Sequence, residues 1–424
     1  MEHLKRVDEP SLEESRKLAS SVTEVLDDIR ANGEEAVRRY SERFDDWLPR
    51  GFAVSDGEIA AAKDGVPEDV KESLRFAQDR VREFAQAQRA TLTDLEIESR
   101  PGVVLGHRHI PVAAVGAYVP GGRYTLIASA YNSIIPAKVA GVERVVVCMP
   151  PSQGRVSPVQ LYSAALAGAD RIYALGGIQA IGAMAYGALE GLEPVDMVVG
   201  PGNQFVTEAK RQVFGMVGLD LLAGPTEICI LADDDADPYI VAADLVGQAE
   251  HDPDSRAILI TTSRQLARSV LAQIGDHIDA VKTADIVRQC WENGGEVIVV
   301  DDVAEMMSVC DDYAIEHVEV LTRDPESFIS RLRNYGSLFV GEETTVAYGD
   351  KVSGPNHILP TLRAARFTGG LWVGKFLKTA TYQHMTRKAS LEMAPHCENV
   401  SIAEGMVAHA RTAAIRRERY RGTR

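Results

Sequence analysis

The chain has 424 residues, 45% of them hydrophobic and 25% charged, with a formal net charge of −16 at neutral pH. That length allows two or three domains with sizeable cores. The acidic balance argues against a nucleic-acid surface, which needs basic patches, and no run approaches the roughly 18 apolar residues of a membrane helix.

The N-terminal stretch "MEHLKRVDEPSLEESRKL" lacks the apolar segment of a secretory signal. Ser11 followed by Glu14 is a capping-box pattern and predicts a helix through about Arg30. "PEDVKESLRFAQDRVREFAQAQRA", Pro67 to Ala90, predicts a longer amphipathic helix with its proline just inside the start. From Val103 onward the character changes. Short apolar runs ("AAVGAYVP", "RVVVCMPP", "RIYALGG", "VDMVVGPG", "EICILADD", "AILITT", "EVIVVDD", "SLFVGEE") alternate with helical stretches such as "SPVQLYSAALAGA" and "IQAIGAMAYGAL". This rhythm predicts an α/β protein with mostly parallel sheets covered by helices. The strands are too many for one small sheet, so two α/β units are expected, with the first and last segments as smaller appendages. The closing "RTAAIRRERYRGTR" reads as a solvated or interface-lining tail. Cys148, Cys229, Cys290, Cys310 and Cys397 are scattered and odd in number, without a C-x-x-C pair. That pattern fits a reducing, cytoplasmic setting better than a disulfide framework.

Several predicted strands end in glycine-rich turns: "YVPGGR", "LGGIQAIG" and "VGPGNQ". Ligands of open α/β sheets bind at the carboxyl ends of strands, where glycine lets backbone amides approach a phosphate. None of these turns reads G-x-G-x-x-G, so a nucleotide site and ordinary turn punctuation both remain open.

Four places combine polar groups with apolar surroundings. In "ADLVGQAEHDPDS", Gln248 and His251 lie three apart near a helix end and share a face. In "AIEHVEVL", Glu316 and His317 precede an apolar strand. "YGDKVSGPNHILPT" holds Asp350 and His357, and "IAEGMVAHAR" holds Glu404 and His409. His251, Asp350 and His409 offer nitrogen and oxygen ligands suited to a divalent metal such as zinc, and Gln248 could add a carbonyl oxygen. Glu316 and His317 suit acid–base work near neutrality.

With the stretches "GAYVPGGR", "GGIQAIGAMAYG", "VDMVVGPGNQFVTEAKRQV", "AGPTEICILAD", "GQAEHDPDS", "EHVEVLT", "SGPNHILPT" and "EGMVAHA", the sequence resembles the histidinol dehydrogenase family over nearly its whole length. The resemblance implies two Rossmann-like parallel-sheet domains with small N- and C-terminal helical segments, in an intertwined homodimer. It divides the chain into a helical segment at 1–20, a first α/β domain from 21–117 and 228–370, an NAD-binding α/β domain at 118–227, and a dimerisation segment at 371–424. It implies zinc held by Gln248, His251, Asp350 and His409, and a catalytic pair Glu316 and His317. Thr226, His357 and Glu404 would touch substrate; the family often has serine where Thr226 stands. Tyr118, Gln179 and Asn203 would contact NAD. Glu404 and His409 would reach the partner's site, so each active site would be shared. The activity implied is oxidation of a small primary alcohol to a carboxylate by two hydride transfers to NAD, with no nucleic-acid or membrane partner.

Three stretches depart from typical histidinol dehydrogenases: "EFAQAQR", "RYTLIASA" and "RAARFTGGLWVGKFLKTATYQHM". They look more like the sulfopropanediol dehydrogenase branch, whose members oxidise dihydroxypropanesulfonate to sulfolactate. Arg123, Arg366, Lys375 and Lys378 could then supply cations for an anionic substrate, or could be surface or subunit contacts. A non-catalytic relative on the same fold is the contrasting expectation. It should have lost metal or acid–base residues, and all six are present.

Overall fold

The computed structural model describes residues 2–5, 12–121, 124–152 and 154–421. Among these, two units separate: residues 1–89 with 112–376, and residues 90–111 with 377–424.

The larger unit contains two sheets. The first has five parallel strands in the spatial order Arg171–Ala174, Arg144–Met149, Ala114–Tyr118, Met197–Val199, Gly218–Leu219. Chain order therefore reverses direction at Ala114–Tyr118, which places a topological switch point between that strand and Met197–Val199. The second sheet repeats the plan. Its parallel strands run Gly295–Val299, Arg256–Thr261, Glu227–Ala232, His317–Leu321, Ser337–Val340, and Glu2–Lys5 adds an antiparallel edge. Strands buried on both faces read as continuous apolar runs, which is why "EICILA", "AILIT" and "HVEVL" stood out in the sequence. Val318 and Val320 enter the core on one face, with Ile258 and Ile298; Leu321 enters the other, with Val241, Leu245 and Val346.

The helices sort themselves by apolar face rather than by chain order. Helix Leu12–Asn32 buries Val22, Leu26 and Ile29 in the core of the first sheet, and helix Glu34–Asp45 adds Val37. These segments, grouped with 228–370 from the sequence, thus pack on the other sheet. Likewise the boundary at 117/118 runs through the central strand of that sheet. Helix Glu68–Ala90 matches the expected amphipathic stretch; Pro67 lies just before it, and its carbonyl accepts the first helical hydrogen bond from the Lys71 amide. The capping box at Ser11 and Glu14 lies outside the described side chains.

The smaller unit is a three-stranded antiparallel sheet, Leu377–Met385 with Val103–Pro111 and Leu95–Arg100, and two helices, Arg387–Ala403 and Val407–Arg421. The expected C-terminal segment therefore takes in residues 90–111 as well. Leu95–Arg100 is exposed throughout, so no buried alternation marked it as a strand.

One buried ion pair braces the switch-point turn. Lys210 Nζ lies 2.6 Å from Asp220 Oδ1 and donates to the Gly200 carbonyl at 2.8 Å, while the Gly200 amide donates to Asp220 Oδ2 at 2.8 Å. Both side chains are almost fully buried. Removing one partner of such a pair strands the other charge without solvent. Lys210→Met is expected to cost about 3–5 kcal/mol in denaturant unfolding, by that principle.

Candidate active site

Seven of the expected residues form one linked cluster in the larger unit. Thr226 and Glu227 begin the central strand of the second sheet, and Glu316 and His317 enter its neighbour. Gln248 lies in the last turn of helix Pro238–Ala249 and His251 just beyond it. Asp350 lies in the short helix Val346–Lys351, and His357 in the loop after it. Thr226, Glu227, Glu316 and His317 all lie at the amino ends of these two strands, Thr226 and Glu316 just before the first strand residue. The cluster thus sits on the edge opposite to the one where open α/β sheets usually bind ligands.

The contacts run from residue to residue. The Thr226 hydroxyl donates to Glu316 Oε2 at 2.6 Å and accepts from Gln248 Nε2 at 2.5 Å. The Glu227 amide donates to the same Glu316 oxygen at 3.0 Å, and the Glu227 carbonyl accepts from His317 Nδ1 at 2.9 Å. That acceptor can only be a proton acceptor, so it assigns the proton to Nδ1. His317 Nε2 is buried without a hydrogen-bond partner among the described residues and faces Asp350 Oδ1 at 3.7 Å. Asp350 Oδ2 lies 3.9 Å from His251 Nε2 and 3.6 Å from Lys351 Nζ. His357 donates from Nδ1 to the Asp350 carbonyl at 3.1 Å, and its Nε2 accepts from the Ser129 hydroxyl at 3.1 Å.

Charges follow from these neighbours. Burial opposes the His317 imidazolium, but the Glu316 and Asp350 carboxylates outweigh it and raise its pKa well above the histidine range. Burial would raise Asp350, yet the His317 ring beside it holds its carboxyl well below the usual carboxylate range. Burial lowers His251 and His357, with Asp350 working the other way. Burial and the Glu316 charge push Glu227 up to about 7.

The expected dinucleotide residues gather on the first sheet. Tyr118 ends its central strand, and its hydroxyl accepts from the Gly177 amide at 3.2 Å. Gly177 has a φ of +64° and begins the helix that carries Gln179. Gln179 is fully buried and donates to Asp45 Oδ2 at 2.7 Å. Asn203 caps helix Gln204–Val213, accepting from the Phe205 and Val206 amides. It lies just past Gly200, whose φ is +111° and where any Cβ would collide with the Tyr118 carbonyl. Tyr118 and Asn203 therefore flank the switch point.

A family model described as histidinol dehydrogenase matches residues 9–417. The chain belongs to the histidinol dehydrogenase family. A histidinol dehydrogenase homolog from Shouchella clausii is 52% identical over 404 residues, 95% of this chain and 95% of that one. A sulfopropanediol 3-dehydrogenase from Ruegeria pomeroyi is 45% identical over 423 residues, 99% of this chain and 97% of that one. The crystal structure of histidinol dehydrogenase from Elizabethkingia anophelis superposes with a TM-score of 0.91 at 32% identity, over the whole of both chains. The family's dehydrogenases act on CH–OH groups, and this chain carries their α/β architecture with two parallel sheets.

Within that family frame, the donor chemistry at the cluster fits a divalent cation. His251 is held neutral and Asp350 ionised, as metal ligation requires. Their 3.9 Å separation is about half an ångström wider than two tetrahedral ligands, each about 2 Å from a zinc ion, would stand, so a small approach would close it. The Gln248 amide nitrogen is committed to Thr226, which leaves its carbonyl oxygen for a cation. Among the described residues no three His, Cys, Asp or Glu side chains of the single chain converge on one point. His409, in the first turn of helix Val407–Arg421, and Glu404, the C-cap of helix Arg387–Ala403, both lie exposed in the smaller unit.

Three positions escaped the sequence reading. Ser129 is a buried hydroxyl in "LIASAYNSII", where Asn132 and Ser133 are buried polar residues too, so nothing in the sequence set it apart. Glu227 was hidden as the first letter of an apolar strand. Lys351 lines a cleft of about 330 Å³ together with His357, Tyr131, Thr125, Ile127 and Asp69. By contrast, Arg366 turns to the Arg363 carbonyl and Lys375 donates to Thr368. Lys378 is exposed in the smaller unit, and Arg123 lies outside the described residues.

Glu227 gives the site a pH signature. Its folded pKa of about 7 exceeds the ordinary glutamate value, so the folded chain binds more protons than the unfolded one between roughly pH 4.5 and 7. Its contribution is present below that window and is lost as pH rises through it. Glu227→Gln is expected to flatten the decline of the thermal midpoint across this range, and an unchanged slope would contradict the assignment.

Proposed function

We propose that the chain is a zinc- and NAD-dependent dehydrogenase that oxidises a small polar primary alcohol, through a bound aldehyde, to the carboxylate with two NAD. The observation that carries this reading is the contact chain that places Glu316 and His317 beside the His251–Asp350 pair. Gln248, His251 and Asp350 would hold the zinc, with His409 supplied by a second copy of the chain. When bound, zinc polarises the alcohol oxygen and NAD accepts hydride.

The chain's own residues do the proton work. With Nδ1 tied to the Glu227 carbonyl, His317 Nε2 is the ring atom open to the substrate hydroxyl, and from its neutral form it takes that proton. Glu316, oriented by Thr226 and the Glu227 amide, activates the water that adds to the aldehyde. His357, Thr226 and the second copy's Glu404 position the substrate. Tyr118, Gln179 and Asn203 line the NAD side at the switch point. Four residues around Glu404 and His409 support an intertwined homodimer with shared sites. Val400, Ile402, Met406 and Val407 are 59%, 62%, 47% and 71% exposed, an apolar face that a second copy would cover. Five free thiols, four of them buried, support a cytoplasmic setting. The partners of the reading are a small-molecule alcohol and the second copy, with no nucleic acid and no membrane.

A second substrate reading is the anion 2,3-dihydroxypropane-1-sulfonate, giving sulfolactate. Lys351 favours it: this cation lines the cleft beside His357, where a sulfonate would meet it. The likeness to the Ruegeria pomeroyi sulfopropanediol 3-dehydrogenase favours it too.

Steady-state turnover of the zinc-loaded protein with histidinol and with dihydroxypropanesulfonate decides between these substrates. If the sulfonate is the substrate, Lys351→Ala is expected to raise its KM about 10-fold or more, the loss of one charge-assisted hydrogen bond. No turnover of any alcohol by the zinc-replete protein would leave the non-catalytic alternative standing. Glu316→Gln is expected to retain part of the alcohol-to-aldehyde step while nearly abolishing aldehyde oxidation. Single-turnover measurement of the two half-reactions checks this, and equal losses would contradict the division of labour.

A further inference from the structure

A second polar tier lies directly behind the cluster. Helix Pro238–Ala249 carries Asp244 one turn before Gln248. Strand His317–Leu321 carries Glu319 two residues after His317. Helix Val346–Lys351 begins one turn before Asp350. Each spacing puts the second residue on the same face as the first.

The tier is tied together. The Asp244 and Glu319 carboxyls are close neighbours, each shifting the other's proton affinity. The Val346 amide donates to Glu319 Oε1 at 2.7 Å. The Thr345 hydroxyl donates to Asp244 Oδ1 at 3.0 Å. Thr345 is the N-cap residue of its helix, yet its side chain makes no cap bond there. Glu319 is fully buried, and its Oε2 has no donor among the described residues. Two carboxyls can share a hydrogen bond only if one keeps a proton. Burial, and then the Asp244 charge, push Glu319 up to about 8, which favours one shared proton on the pair near neutrality.

An apolar pair at these positions would avoid the desolvation of two acids. What the acids add is direction: a fixed register among a helix, a strand and a second helix. That second helix has six residues, too few to hold its own shape in water. Its first amide is the one Glu319 holds.

We propose that the Asp244–Glu319 tie is a positioning device that sets Gln248, His317 and Asp350 against one another. This rests on the reading of that cluster as the zinc and acid–base centre. Leucine at 319 removes both interactions. Glutamine keeps both, because its amide can donate to Asp244 and its carbonyl can accept from Val346.

The test compares Glu319→Leu, Glu319→Gln and Thr345→Val by zinc titration against a competing chelator, by kcat and KM, and by thermal midpoint. Glu319→Leu is expected to weaken zinc binding and lower kcat by about 10- to 100-fold, the range for partners that orient metal ligands, with KM little changed. Glu319→Gln should stay within a few-fold of wild type, and Thr345→Val should fall between. A Glu319→Leu protein that loses thermal stability but keeps its zinc affinity and kcat would overturn the tie. So would equal damage from leucine and glutamine. If Glu319→Leu does not fold, unchanged zinc affinity and kcat in Thr345→Val overturn it. A wild-type protein that binds no zinc sinks the site reading and the tie together; a zinc-binding, active wild type matched by its variants sinks the tie alone.

Discussion

The backbone of Glu227 is the constraint on which the rest depends. Its amide fixes Glu316 Oε2 at 3.0 Å and its carbonyl fixes His317 Nδ1 at 2.9 Å. Two adjacent side chains on a strand ordinarily point to opposite faces. Here they join one cluster because Glu316 lies just before the strand and His317 is its first residue. A backbone group cannot change protonation or rotate away, so the orientation of both side chains is set by the pairing of two strands. The Glu227 side chain is carried along into burial, which accounts for its raised proton affinity.

From that anchor the polar contacts spread outward. Thr226 and Gln248 extend it to a helix end and Asp350 to a short helix, with His251 and Lys351 beside its carboxylate. Ser129 and Asn132 join from the first sheet's own helix: Ser129 holds His357, and the Asn132 carbonyl accepts from Asn356 at 2.6 Å. The Tyr124 hydroxyl donates to the Glu250 carbonyl at 2.8 Å, a further link from the first sheet's loop to the end of the helix bearing Gln248. The two sheets are thus joined by polar bonds around the very loops that carry the expected site.

Much of this was legible in the residues. Strands buried on both faces leave apolar runs that chain order alone exposes, and polar residues such as His251 and His317 stand out against them. Other features left no such trace. Leu95–Arg100 is an exposed strand, so its residues carry no alternation. Which sheet Val22 and Leu26 cover depends on packing partners far along the chain. Glu319 looked like one polar letter in "HVEVL", and only the partner helix shows that an acid waits opposite. The cations expected to meet an anion were chosen from unusual stretches. Among the described residues Lys351, next to a residue already singled out, is the cation that lines the cleft.

Both sheets use the same strand order, yet they present opposite edges to their polar residues: the first its carboxyl edge, with Tyr118 and Asn203, and the second its amino edge, with Thr226 and His317. Among the described residues, the carboxyl edge of the second sheet carries none of the expected site residues. Its turns, such as the one through Asp233 and Asp235 that Arg323 clamps, are natural places to insert a reporter peptide or open new chain termini.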